Sequence, residues 1–417
     1  MRSHVTRRLI SQWRGSEGGR RASHDFIRGP TPGGTFKVPF PSPKIVGIQA
    51  ARGTSAEQQD QSAVHALQLS PAEIQYSLEK IKYKWDASKA GSPFLASQVA
   101  FFGIYDGHGG AQVSTHLAEN LHNLIESVQS DHANSLVQWT KSTHQGYFKR
   151  WRGGVLSKWT KAGQTSDASA QTSTSGPSGK VMTLEERLTL AFLQADQDIL
   201  KKYEESHKMG STASVLLLHS LDSPAVPYWA AKEVFLTVGH CGDTRVLLCH
   251  APTGKVVPLT ERHHAEARVE AARLRRMGAD NLIQDSFGES KWMGAIENTR
   301  GFGDGDWKSS GVTAEPEVIS RVLKGAEYSY LVLVTDGLTD LMSDQEIIDL
   351  ARNASDPTRA ATTIIHFGED LNADDNCTCI VVPLAGWGQV KGQDSTEARR
   401  EYRRNQAGMM NTRMQRM

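Results

Sequence analysis

The spacing of apolar residues along the chain changes several times, and each change predicts an element. KIVGIQAA from Lys44 and SAVHALQL at 62–69 read as strands. VAFFGIYDGHGG at 99–110 is an apolar run that stops at an acid and glycines, which predicts a buried strand. Val113, Leu117, Leu121, Leu124 and Ile125 then recur at helical spacing and predict a helix over 111–127. The same reading gives a helix at 183–205, strands at 212–219, 233–240 and 244–250, and a helix at 264–277. A strand at 328–335, helices near 343–353 and 357–371, and a strand at 377–383 complete the pattern, with no internal repeat. Strands and helices do not alternate strictly, so the expected class is α+β. Two central, mostly antiparallel sheets are flanked by helices in a four-layer α-β-β-α sandwich.

Four segments break the periodicity. Residues 1–30 carry arginine at seven positions against two acids, and Val5, Leu9, Ile10 and Trp13 fall at helical spacing. An Arg-rich, acid-poor amphipathic start predicts a mitochondrial transit peptide. Residues 31–43, with four prolines and two glycines, read as a linker. Residues 129–180 bring three tryptophans and then a Ser/Thr/Gly/Ala/Gln-rich stretch, read as a low-complexity insertion within one catalytic domain of residues 44–387. Residues 388–417 form a basic tail.

Composition narrows the function classes. The chain has 417 residues, with 47 Lys plus Arg against 46 Asp plus Glu. A net charge of +1 gives no sign of a nucleic-acid partner. Cys241, Cys249, Cys377 and Cys379 form no CxxC pair, so reduced, buried thiols are expected rather than a zinc site or a disulfide scaffold. No apolar run approaches the roughly 20 residues that a membrane span needs, so an integral membrane protein is not expected.

The candidate chemistry lies where buried strands end in acids. Asp106-Gly107-His108-Gly109-Gly110 closes the first such run. A carboxylate there is costly unless paired or ligating a cation. YLVLVTDGLTD at 330–340 ends in Asp336-Gly337 with Asp340 a turn later, and Asp374-Asp375-Asn376 opens the strand CTCIVV. Three acid groups at strand ends describe an oxygen cage for hard cations, magnesium or manganese rather than zinc. Two such ions about 3.5–4 Å apart activate water and hold a phosphoryl group.

An ordered series of motifs resembles the type 2C protein phosphatases: FGIYDGHGG at 102–110, GSTASVLLL at 210–218, VGHCGDTRVLL at 238–248, LTERHH at 259–264, NTRGFGD at 298–304, EPEV at 315–318, VTDGLTDLMS at 334–343 and DDNCTCIVV at 374–382. KSSGVTAEPE at 308–317 and VVPLAGWGQVK at 381–391 resemble the mitochondrial members, including the branched-chain ketoacid dehydrogenase phosphatase. The resemblance implies hydrolysis of phosphoserine and phosphothreonine by water activated at two magnesium or manganese ions, without a phospho-enzyme. It implies Asp106 bridging both ions, the Gly107 carbonyl on one, and Asp336 and Asp375 on the other. His108 is implied as general acid, Asp60 as an acid working through water, and Gln59 and Asp304 as supporting residues. Mitochondrial phosphoproteins, dehydrogenase complexes among them, are the implied partners, with the matrix as the expected site and a monomer as the expected state.

The chain departs from the family pattern in places. Ser55 stands where the phosphate-binding arginine is expected, so Arg52 is the candidate to reach in from a longer loop. His207 and Lys208 replace the acid before the GST turn, which puts a third ion in doubt, although Asp340 remains a possible ligand. Arg262 replaces the customary acid in LTERHH. His263 and His264 are expected to be structural, Arg300 to be an ion-pair residue, and CGDTR at 241–245 to be a turn rather than a site. A binding pseudophosphatase and another metal-assisted hydrolase on the same fold are the alternatives. The intact set Asp106, Gly107, His108, Asp336 and Asp375 favours an active phosphatase.

Overall fold

The computed structural model describes residues 26–144, 156, 181–276, 282–284, 290–292 and 297–414. The chain opens with a hairpin, β1 (Phe26–Thr31) and β2 (Gly34–Pro39), where a linker was expected. Thr31-Pro32-Gly33-Gly34 makes its turn, which accounts for both glycines and one of the four prolines. Ile27 and Phe40 bury into the interior, and the Phe40 ring meets Phe102 edge-on at 5.6 Å. The hairpin thus packs on the domain ahead of Lys44, where the domain was expected to begin, and includes residues 26–30 from the end of the expected transit peptide. Residues 1–25 lie outside the described residues.

β3 (Gly47–Ala51) and β4 (Gln61–Gln68) follow, then α1 (Pro71–Lys80), α2 (Pro93–Ser97) and β5 (Gln98–His108). α3 (Gln112–Ser127) and α4 (His132–Thr143) precede α5 (Leu184–Lys202), which starts at a Thr183–Glu186 capping box. Next come β6 (Gly210–Ser220), β7 (Glu233–Cys241), β8 (Arg245–His250), β9 (Val256–Pro258) and α6 (Arg268–Arg276). A small hairpin, β10 (Leu282–Gln284) and β11 (Ser290–Trp292), leads to β12 (Phe302–Gly303), α7 (Gly305–Lys308) and β13 (Glu317–Lys324). The chain finishes with β14 (Tyr328–Val334), α8 (Asp336–Thr339), α9 (Asp344–Ala351), α10 (Pro357–Asp370), β15 (Cys377–Pro383) and α11 (Glu397–Met414).

Two antiparallel sheets result. One runs β13-β7-β6-β5-β4 with β12 on β6, and the other runs β3-β15-β14-β8-β9. The period-2 alternation of each strand sorts its side chains between two faces. Val64, Phe102, Ile104, Leu216 and Val238 of the first sheet meet Val246, Leu331, Leu333, Ile380 and Val382 of the second. The intervening positions face outward: Phe101, Tyr105, Val215 and Leu217 pack against α3, α4 and α5, while Val332, Val334, Cys379 and Val381 pack against α9 and α10. This is the four-layer α-β-β-α sandwich. All four cysteines are free and buried.

Two other segments differ from the sequence reading. α4 falls inside the expected insertion 129–180, and its Leu136 and Val137 are buried, as is Leu156. Its Ser, Thr and Gln content masks a helix that buries one narrow stripe. The Ser/Thr-rich part, 162–180, lies outside the described residues. The tail contains α11, held on the outer layer by ion pairs: Arg403 reaches Glu346 at 3.0 Å and Arg404 reaches Asp370 at 2.9 Å.

Candidate active site

The alternation that builds the core also delivers the acids. Positions 64, 66, 102 and 104 point between the sheets, so Asp60 and Asp106, in phase with them, emerge at one end of the same gap. From the facing sheet, β14 ends at Val334 and the chain turns into α8, whose first residue is Asp336. The Asp336 backbone N–H donates to Asp106 Oδ2 at 3.4 Å. The turn between β7 and β8 brings in a third acid, Asp243, which is buried. Asp106, Asp243 and Asp336 each place a carboxylate oxygen within 4.8 Å of the other two.

Such a group resists ionisation unless a cation joins it. Burial and the charges of Asp336, Asp60 and Asp243 push the Asp106 carboxyl well above the ordinary range. Burial and then Asp243 push Asp336 up to about 8. Burial also raises Asp60 to about 6, opposed by the hydroxyls of Thr378 and Thr335, which donate to its Oδ2 at 2.7 and 2.9 Å. Asp243 goes the other way. Burial disfavours its charge, but His264, Asn298 and Arg262 outweigh that and hold its carboxyl below the usual range.

Two oxygens in this gap, Asp60 Oδ1 and Asp243 Oδ1, are buried with no hydrogen-bond partner. A buried carboxylate oxygen left so is costly. A divalent cation with a preference for oxygen ligands fits both the orphaned atoms and the concentration of negative charge.

His108 extends from the end of β5, and its Nε2 lies 3.0 and 3.1 Å from the two Asp304 oxygens. Asp304 adopts a left-handed backbone, φ +51°, unusual outside glycine. Its N–H donates to the Met209 carbonyl at 2.9 Å, which fixes that conformation. Gly210 permits the pair: a Cβ there would come 2.4 Å from Asp304 Oδ2 and 2.5 Å from His108 Nε2. Burial opposes charge on His108, but Asp304, with Asp243 and Asp336, more than compensates and holds the imidazole above its ordinary value.

The remaining candidates take different places. Asp375 is exposed, accepts from the Asn376 N–H at 2.7 Å, and stands outside the group of three, although its charge is felt by Asp60 and Asp336. Asp340 pairs with Arg262 at 2.5 Å. Arg52 is exposed and donates to the Ala56 carbonyl at 3.1 Å, while Ser55 donates to the Asp374 carbonyl. Gln59 contributes its backbone: its N–H donates to Asn376 Oδ1 at 2.6 Å and its carbonyl accepts from Ser114. Gly107 sits against that carbonyl, where a Cβ would come within 2.5 Å. His207 lies 3.4 Å from Asp306.

CGDTR at 241–245 does form the turn expected of it, but the turn also carries Asp243 into the acid group. Asn298 Nδ2 donates to Asp243 Oδ2 at 2.8 Å, and His264 Nε2 lies 3.5 Å from the same oxygen. The signal was an apolar run, VFLTVGHC, that ends in Gly-Asp, mirroring the Asp-Gly after the other two strands. Arg300 is indeed an ion-pair residue, bonded to Glu270 at 2.7 Å.

A profile of the family described as Protein phosphatase 2C matches residues 146–377. Protein phosphatase 2C homolog 4 of Schizosaccharomyces pombe is 32% identical over 361 residues, 85% of this chain and 84% of that protein. Protein phosphatase 1K, mitochondrial, of Xenopus laevis is 35% identical over 185 residues, 44% of this chain and 46% of that protein. Among solved structures, a phosphatase from a pathogenic strain of Toxoplasma gondii superposes with a TM-score of 0.52 at 16% identity, over 82% of this chain and 94% of that one. A likeness at that identity speaks to the fold alone. The family profile and the yeast relative, which spans most of both chains, establish that this chain belongs to the protein phosphatase 2C family of serine/threonine phosphatases.

Proposed function

We propose that the chain hydrolyses phosphoserine and phosphothreonine in proteins at a magnesium or manganese centre held between the two sheets. The observation that carries this reading is the group Asp106, Asp243 and Asp336, with orphaned oxygens on Asp243 and on nearby Asp60. Asp106 and Asp336 would hold the ions, joined by the Gly107 carbonyl and by Asp375 at the rim. When bound, two ions would neutralise the acids, polarise the phosphoryl oxygens and lower the pKa of water for in-line attack. Asp60, fixed by Thr335 and Thr378, turns its free oxygen into the gap and orients a water there. His108, protonated and oriented by Asp304, gives its proton to the departing Ser or Thr oxygen. Arg52, on a loop tied to Asp374 and Asn376, is the candidate to meet the phosphate from the rim.

A mitochondrial setting is part of the proposal, and phosphoproteins of that compartment, dehydrogenase complexes among them, are the proposed substrates. It is supported by the arginine-rich residues 1–30 and by similarity to a relative named as mitochondrial. A fluorescent fusion of residues 1–30 that stays cytosolic would refute that part.

The central test is phosphate release from a phosphothreonine peptide with manganese, with magnesium and with chelator, beside Asp336→Asn. Turnover that needs the metal and is lost in Asp336→Asn is expected. A folded, metal-binding protein with no turnover on any phosphopeptide would leave a binding role instead.

A further inference from the structure

The loop after β9 closes over the acid group with three consecutive residues. Glu261 accepts from His240 Nε2 through its carbonyl at 2.9 Å, and His263 is buried and accepts the Gly242 N–H at 3.0 Å. Between them Arg262 is pushed outward to the rim. Its Nη2 donates to Asp340 Oδ1 at 2.5 Å and to Thr339 Oγ1 at 2.8 Å. Asp340 is the acid one helical turn after Asp336, and its N–H donates to the Asp336 carbonyl at 2.8 Å. The two carboxylates repel, and that repulsion contributes to the raised pKa of Asp336. The Arg262 guanidinium feels Asp243 and Asp336 as well as Asp340. A permanently charged fork thus sits where the negative field of the site reaches the surface.

We propose that Arg262 is a tethered cation that takes the place of a metal ion at Asp340 and so limits the number of ions the centre holds. The inference rests on the metal-centred reading above. Asp340 without Arg262 is a largely exposed carboxylate beside a buried acid group, and among the described residues the arginine is its ion-pair partner. A divalent ion has to displace a guanidinium already bonded there to use Asp340 as a ligand. The arrangement also matches the neighbouring sequence. Shortly before β6 stand His207, turned toward Asp306, and Lys208, neither of which is a carboxylate that could help hold a further ion.

The test counts ions directly. Mn2+ binding to the full chain is measured by calorimetry and by electron paramagnetic resonance for the wild type, Arg262→Ala, Asp340→Asn and the double variant. Both side chains are partly exposed, at 34% and 61%, so the variants are expected to fold, and circular dichroism checks this. Arg262→Ala is expected to bind one more Mn2+ per chain than the wild type. Asp340→Asn is expected to match the wild type, and the double variant to lose the extra ion. Wild-type stoichiometry and affinity in Arg262→Ala overturn the inference alone. A wild type that binds no Mn2+ overturns the metal-centred reading and this inference with it.

Discussion

Replacing Asp304 by asparagine removes one charge from the site and little else. Asparagine tolerates the left-handed backbone at this position, so the φ of +51° need not change. The hydrogen-bonded contact of about 3 Å to His108 survives in shape but loses its charge. A charge-assisted hydrogen bond of this kind contributes about 1.5–3 kcal/mol when buried. The His108 side chain is 48% exposed, so screening reduces the stability effect to about 1 kcal/mol. The kinetic effect is larger, because a misoriented proton donor forfeits much of a general-acid contribution worth about 10²–10⁴-fold. A loss of about 100-fold in kcat is expected on a phosphothreonine peptide, equivalent to about 2.7 kcal/mol of barrier. An aryl phosphate whose phenolate leaves without a proton should lose only a few-fold. Gly210→Ala, whose added Cβ would wedge between the two side chains, should show the same contrast. The assay is steady-state kinetics on both substrates at saturating manganese. Equal losses on the two substrates, or under about 3-fold on the peptide, would refute the role given to His108 and Asp304.

Three further outcomes follow from the geometry. Adding manganese should raise the thermal midpoint of the wild type, by an amount corresponding to about 2.7 kcal/mol at a hundredfold excess over Kd. Asp243→Asn should lose most of that gain, and an undiminished gain would remove Asp243 from the centre. Glu270→Gln takes from buried Arg273 and Arg300 the carboxylate they share, so urea unfolding should show a loss of about 3 kcal/mol; a loss below about 1 kcal/mol would show that other partners carry the pair. His219 is buried neutral, and desolvation lowers its pKa from 6.5 to about 4. The unfolded chain therefore takes up a proton on this histidine that the folded one does not, and stability falls as pH drops from about 6.5 to about 4. His219→Gln should flatten the unfolding free energy across that window by up to about 1.4 kcal/mol per pH unit, and an unchanged slope would contradict the assignment.

The parts of the fold that were legible in sequence are those where burial enforces a clean period. The strand at 377–383 and the helix at 357–371 match β15 and α10 closely, because each keeps one face fully buried. The N-terminal hairpin was hidden by its prolines: Pro32 sits in the turn, Pro30 pairs with Thr35 beside it, and Pro39 pairs with Phe26 at the open end. α4 was hidden by polar residues outside its buried stripe. Within the site, Asp106, Asp336 and His108 were legible because they end buried runs. Asp243 was not, since a Gly-Asp turn between hairpin strands is also an ordinary turn signal. The Arg262–Asp340 pair could not be foreseen, because 78 residues separate its members and only the closure of the second sheet brings them together.

The order of strands in that second sheet has a consequence for how the enzyme is made. β15 lies between β3 and β14, and its Cys377 pairs with Ala51. The sheet cannot close until residues near the C-terminal end of the domain have left the ribosome, so β3 emerges early and waits without its neighbour. Contacts of such long range slow folding and leave an open strand edge exposed to other chains meanwhile. Asp60 takes a hydrogen bond from Thr378 of that same late strand, so the acid-lined gap between the sheets reaches its final form only after β15 has been made. A chain cut short before β15 would be an unclosed sandwich and would lack an active centre altogether.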